Sequence, residues 1–150
     1  MDKIYTSGWS ENETGKVFFI HHRVRYADTD KMDMVYHGSY IPMLEAARVD
    51  TLREIGWVYN DMEQAGVMLP VVDLQLKYHV SARYDQLLRI ESHIIDNPTS
   101  RLKFRFSIYH DSTLLVKADV CLAFVDSASF RPRRAPETLV KALNDNGLVH

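Results

Sequence analysis

The sequence predicts an α+β domain in which one antiparallel sheet of about five strands wraps round a single long helix. Three observations carry that prediction. Several segments alternate apolar and polar residues with period two, as strands with one wet and one buried face do. One segment, from Tyr40 to Ile55, instead repeats its apolar residues at helical spacing. The chain has 150 residues, 46% of them hydrophobic, which suits one domain with a core of its own.

Taken in order, residues 1–16 are polar and read as a flexible lead-in, with the single domain over 17–150. In the first strand Phe18, Ile20, His22, Val24 and Tyr26 alternate with His21, Arg23 and Arg25. The long helix carries Tyr40, Ile41, Leu44, Ala47, Thr51, Leu52 and Ile55 on one stripe. Ser39 is its expected N-cap, Pro42 fits its first turn, and Gly56 its C-cap. A short helix is expected over 60–64. Strands follow at Val72–Val80, Leu87–Ile95, Leu102–Tyr109 and Leu114–Val125, and a last helix at Glu137–Asn144 after Pro136. The connections after Tyr84 and Asp111, and the Asn97-Pro98 turn, are short, so they predict antiparallel neighbours. Leu114–Val125 is apolar on both faces for part of its length, as a central or interface strand would be. Unpaired strand edges then predict a homo-oligomer, a dimer or a dimer of dimers. The long helix is the one element large enough to cover the sheet.

A net charge of −2 argues against nucleic acid as a partner. Apolar runs such as Val17-Phe18-Phe19-Ile20 are too short to span a membrane, and the first sixteen residues lack the apolar stretch of a signal peptide. Cys121 is the one cysteine, which excludes an internal disulfide, agrees with a reducing, cytoplasmic setting, and at mid-strand reads as core. The histidines, among them His21, His22, His37, His79, His93 and His110, show no metal-ligand spacing, so no metal is expected. No Gly-x-Ser-x-Gly elbow is present.

The unusual stretch is Tyr26-Ala-Asp28-Thr-Asp30-Lys-Met-Asp33-Met-Val-Tyr36-His37-Gly38, which joins the first strand to the helix and holds three carboxylates. The first N–H groups of a helix are unpaired and slightly positive, a seat for an anion or a polarised carbonyl oxygen. A carboxylate one loop away can act on what those amides hold. The plainer reading is that Asp28 and Asp30 cap turns.

The run Val24-Arg25-Tyr26-Ala27-Asp28-Thr29-Asp30, then Val35-Tyr36-His37-Gly38-Ser39-Tyr40, then Glu45-Ala46-Ala47-Arg48, resembles the signature of the 4-hydroxybenzoyl-CoA thioesterase family. The likeness extends through Met68–Val72 and Ala82–Asp85 to Arg131-Pro132-Arg133. It implies a hotdog fold, an acyl-CoA thioester hydrolase, acyl-CoA as substrate, no cofactor beyond the coenzyme A of the substrate, and an active site shared between subunits. Carried over, the catalytic aspartate falls on Asp30 and the polarising amide on the backbone of His37. Asp28 falls in a supporting place, with Tyr36 beside it. Asp33 stands where the family has glycine, and aspartate tolerates the left-handed turn such a position demands. Glu45 is the reserve carboxylate, its plainer reading an ion pair with Arg48. Arg83, Arg101, Arg131 and Arg133 are the candidate phosphate partners for coenzyme A. Tyr26, Tyr36, Tyr40 and Met43 are expected to line the acyl pocket. Two other readings stand beside hydrolysis: a non-catalytic acyl-CoA-binding protein, and a hydratase or dehydratase pairing His37 with Asp30 or Asp33.

Overall fold

The computed structural model describes residues 7–12 and 15–150. In chain order its elements are β1 (Ser7–Asn12), β2 (Gly15–Arg23), α1 (Tyr40–Glu54), α2 (Tyr59–Gln64), β3 (Val67–Met68), β4 (Val71–Tyr78), β5 (Leu87–Ile95), β6 (Arg101–His110), β7 (Thr113–Ala123), β8 (Val125–Asp126) and α3 (Glu137–Asp145). Six strands form one antiparallel sheet in the order β1-β2-β5-β6-β7-β4, and β3 pairs with β8 beside it. The sheet wraps round α1, as the alternation and the helical stripe required.

The sheet has one strand more than expected. Residues 7–12, inside the anticipated lead-in, run antiparallel to β2, and Trp9 sets its ring edge-on to Phe18 at 5.2 Å. The polar spacing of that segment hid a strand whose inward side is carried largely by one tryptophan.

A second difference concerns order. β4 and β5 are not neighbours: β4 pairs with β7, at the far edge of the sheet. Both sides of β5 are taken, by β2 and β6. The residues between β4 and β5 are spent on the loop ahead of α1, where Val35 N–H bonds Ala82 O and Val24 N–H bonds Gln86 O, both at 2.9 Å. β7 is therefore central and β4 is the edge. Along β7, Val116, Ala118, Val120 and Leu122 are buried while Lys117 and Asp119 face solvent. Cys121 shares the solvent side and is partly exposed, so it does not belong to the core.

Helix α1 buries Tyr40, Met43, Leu44, Ala47, Thr51 and Leu52 against the inner face of the sheet. Of these, Met43, Leu44 and Leu52 each contribute about 1.5–3 kcal/mol relative to exposure. Thr51 satisfies its hydroxyl on Ala47 O at 2.6 Å. Ile41 departs from the expected stripe and is largely exposed. Ser39 does not cap the helix. It is itself helical, because a 3-10 turn over His37–Ser39 runs directly into α1 and moves the helical start back to Tyr36. Gly56 ends the helix at φ +91°, a conformation that suits glycine.

Candidate active site

Asp28 to Tyr36 fold into a tight hairpin. Thr29 and Val35 face each other across it, flanked by Tyr36 N–H to Asp28 O at 2.9 Å and Asp30 N–H to Met34 O at 2.8 Å. Asp33 sits in the turn at φ +64°, so aspartate does fill the left-handed position there. Its side chain is exposed.

Asp28 is the anchor of this hairpin. It is buried, and its Oδ2 accepts His22 Nε2–H and Arg25 N–H, both at 2.9 Å, while Oδ1 accepts from the Arg25 guanidinium at 3.3 Å. Burial pushes its carboxyl up. The bonds from Arg25 N–H, His22 and the Arg25 side chain outweigh that and hold it below the usual carboxylate range. His22, a polar member of an otherwise apolar strand face, is the residue sequence reasoning passed over; its place among Ile20 and Val24 was the available signal.

Asp30 is held differently. It is exposed, and its Oδ1 accepts the N–H groups of Met32 (2.8 Å) and Met34 (3.3 Å). Its Oδ2 takes no hydrogen bond among the described residues. One oxygen fixes the side chain and the other is left for chemistry.

The second arm of the hairpin runs straight into the helical start. His37 and Gly38 present the first N–H groups of the continuous turn that becomes α1. The carbonyl of His37 accepts Tyr78 Oη–H at 2.9 Å, so edge strand β4 fixes this peptide. A Cβ on Gly38 would stand 2.8 Å from the Tyr36 ring, so glycine lets that ring lie close. Tyr36 is half exposed and packs on the His37 imidazole at 4.2 Å between centroids. The imidazole makes no hydrogen bond to Asp30 or Asp33, so the His–Asp pair that a hydratase would use is not formed there.

Residues 82–84 brace the hairpin from behind. Met34 bridges Arg83, Tyr84 N–H reaches Asp33 O at 3.4 Å, and Ala82 N–H donates to Tyr40 Oη at 3.2 Å. Burial raises the Tyr40 hydroxyl above its ordinary value. Arg83 is thus beside the Asp30 hairpin, with an exposed side chain. The other three arginines are not. Arg101 opens β6, and β6 ends opposite the start of β5, so the length of that strand, about 30 Å, separates Arg101 from Arg83. Arg101 lies 3.9 Å from Cys121 Sγ, and Arg131 is exposed at the same end. Arg133 donates to Ala65 O at 3.1 Å and to Arg134 O at 3.1 Å, which ties it to the chain itself.

Between α1 and the edge of the sheet lies a cleft of about 270 Å³. Ile41, Leu44, Leu69, Leu74, Phe106 and Val120 line it, with Glu45 and Arg48 on the helix side. Ile41 is one helical turn beyond His37, so the cleft begins next to the free amides. The expected lining was different: Tyr40 and Met43 are in the core, and Tyr26 and Tyr36 lie at the surface. Glu45 and Arg48 form no ion pair within 4 Å, contrary to the plainer expectation. Burial lowers the Arg48 guanidinium from its ordinary value, and the Glu45 charge offsets part of that.

Comparison with known proteins agrees with this fold. The profile described as thioesterase-like superfamily matches residues 24–143, from just after β2 into α3. The chain belongs to the thioesterase-like superfamily. Among curated relatives, the acyl-CoA thioester hydrolase YbgC of Escherichia coli O6:H1 is 33% identical over 119 residues, 79% of this chain and 89% of the relative. Among solved structures, the protein TT1821 of Thermus thermophilus matches with TM-score 0.78 and 32% identity over 85% of this chain and 97% of its own. The DHNA-CoA thioesterase of Staphylococcus aureus matches with TM-score 0.75 and 28% identity over 85% and 92%. Like those thioesterase-superfamily structures, this chain is a hotdog fold. No helix among the described residues is long and apolar enough to cross a membrane.

Proposed function

We propose that the protein hydrolyses acyl-CoA thioesters to free acid and coenzyme A, with Asp30 as the reacting carboxylate. The observation that carries this reading is the state of Asp30: one oxygen pinned by two amides, the other free, on a hairpin that leads into open helical N–H groups. The names of its relatives support the reaction class.

The thioester carbonyl oxygen is seated on the backbone N–H at His37, at the positive end of α1. Two routes use the same geometry. Asp30 Oδ2 attacks the carbonyl carbon, the C–S bond breaks to release the thiolate of coenzyme A, and water cleaves the resulting anhydride. Alternatively Asp30 takes a proton from water, and the hydroxide attacks while the thiolate leaves. Both place negative charge on the carbonyl oxygen, where a preorganised amide stabilises the transition state more than the ground state. Asp28 positions the hairpin through His22 and Arg25, and the Tyr78 hydroxyl holds the His37 carbonyl, which fixes the next peptide along, the one that carries Gly38 N–H. The acyl group enters the apolar cleft beside Ile41 and Leu44. Glu45 lines the same cleft about two helical turns beyond His37 and stays the reserve carboxylate.

The working unit is a homodimer joined through β4. Val71, Val72, Leu74 and Tyr78 are 36–49% exposed on an edge strand whose outer side pairs with no other strand among the described residues. Two β4 strands related by a two-fold axis pair antiparallel. The His37 end of one then meets the Val71 end of the other, which lies near Leu122 and the arginines 101, 131 and 133. In that arrangement a second copy supplies basic residues to an Asp30 site that has Arg83 of its own. The test is release of free thiol from a panel of acyl-CoAs. Turnover by wild type and its loss in Asp30→Asn support the reading; no release from any thioester contradicts it.

A further inference from the structure

On the solvent face of the sheet, where β2 ends and β5 begins, is a second cleft of about 450 Å³. Arg23, Arg89, His21, His110, Gln86 and Tyr84 line it. It lies outside the Asp30 site, yet the two share one segment. Tyr84, a wall of the cleft, donates its backbone N–H to Asp33 of the catalytic hairpin, and the preceding residue, Arg83, bridges Met34.

We infer that this cleft binds the nucleotide end of coenzyme A, the adenosine 3′-phosphate 5′-diphosphate, while the pantetheine arm passes over Arg83 and Tyr84 to the Asp30 hairpin. The inference rests on the thioesterase reading. Its physical content is a size, a stacking surface and two oriented guanidinium groups. The volume falls within the range of small-molecule sites. Tyr84 is half exposed and meets the exposed Tyr26 edge-on at 6.4 Å between ring centroids, which leaves an aromatic face for a purine. Base–aromatic stacking tolerates any base and asks for no further built contact.

The arginines are held before any ligand arrives. Arg23 spends one N–H on Asp85 O at 2.8 Å. Arg89 bonds Glu91 Oε2 at 2.9 Å and Ser10 Oγ at 2.8 Å, and lies 3.8 Å over the Phe19 ring. Each guanidinium carries five donors, so most of those on Arg23 and three on Arg89 are left for phosphate oxygens. A charged group fixed in this way loses little further freedom on binding. Two carboxylates, Asp85 and Asp111, also face the cleft. They limit the net positive charge and suit ribose hydroxyls as donors, so the site favours a nucleotide over a bare phosphate.

The test compares an acyl-CoA with the S-acyl-N-acetylcysteamine of the same acyl group, which has the thioester but no nucleotide. Arg89→Gln and Arg23→Gln should each raise KM for the acyl-CoA by roughly tenfold, with kcat and the reaction of the truncated thioester within twofold of wild type. Titration calorimetry with adenosine 3′,5′-bisphosphate should show binding to wild type and its weakening in both variants. Unchanged KM in both variants, or an equal loss on both thioesters, overturns the inference. Wild type that cleaves acyl-CoA yet binds no adenosine 3′,5′-bisphosphate overturns it too, and leaves the thioesterase reading standing. Nucleotide binding without hydrolysis of any thioester sinks the thioesterase reading instead and keeps the cleft as a nucleotide site.

Discussion

Replacing Asp28 with alanine should loosen the Asp30 hairpin from the sheet, and the structure says by how much. Three bonds disappear. The charge-assisted bond from His22 is worth about 1.5–3 kcal/mol. The loss of Oδ2 also strands the Arg25 N–H, at a cost of about 1–3 kcal/mol if it stays dry. Arg25 is exposed, so water recovers part of that, and its guanidinium bond at 3.3 Å is a surface pair worth about 0–1 kcal/mol. The sum for Asp28→Ala is about 2–4 kcal/mol, or roughly 5–12 °C in Tm for a chain of this size. The sign of the pH effect follows from the depressed carboxyl. Its folded-state pKa lies below the unfolded one, so its stabilisation is fully present above about pH 4 and is lost as pH falls through the folded value. The assay is thermal and urea unfolding of both proteins at one fixed concentration, at pH 7 and in steps down to pH 3. The gap between wild type and Asp28→Ala should narrow toward acid. A gap under about 0.5 kcal/mol at pH 7, or one that does not narrow, would refute the reasoning.

Other expectations follow from single residues. Asp33 occupies a left-handed turn with its side chain in solvent, so Asp33→Gly should change stability by less than about 1 kcal/mol and leave the acid limb of the pH–rate profile in place; a shifted limb would mean that its charge reaches Asp30. The Oγ of Ser92 is buried without a partner among the described residues, so Ser92→Ala should stabilise by about 0.5–1.5 kcal/mol in urea titration, and a clear loss would mean a further partner. In β4, Val72→Lys sets a new ammonium against Lys77 of a second copy when the strands pair about their middle, so light scattering should report monomers and thiol release should fall together. Monomeric wild type would contradict the dimer directly.

The long helix, the late strands and the carboxylate-rich junction ahead of the helix were legible because each obeys a local rule. Period two marks β6, the helical stripe marks α1, and the carboxylate-rich junction marks the turn. The neighbours of β4 were not legible. Short connections argue for adjacency, but the segment after Tyr78 is committed to Val35 and Val24, and a contact map of that kind has no local trace. β1 was missed for the opposite reason: its pairing with β2 is backbone work, and its side chains read as polar lead-in. In the site, residue types and spacing marked the carboxylate-rich junction, and the family resemblance singled out Asp30 and His37 within it. The arginines could be named from chemistry but not sorted. Only the fold separates Arg83, beside the hairpin, from Arg101 at the far end of β6, and ties Arg133 to Ala65. The same holds for Glu45 and Arg48, whose one-turn spacing suggested an ion pair that the structure does not form.

Asp30→Asn tests the central claim most directly. The amide oxygen can still accept the Met32 and Met34 N–H groups, so the hairpin and the Tm should be retained, whereas Asp30→Ala would forfeit both bonds. The measurement is kcat for thiol release from one good acyl-CoA, taken beside the melting curve. A fall of about two or more orders of magnitude at unchanged Tm is the predicted result. Near-wild-type turnover by the asparagine variant would contradict the assignment of Asp30 as the reacting carboxylate.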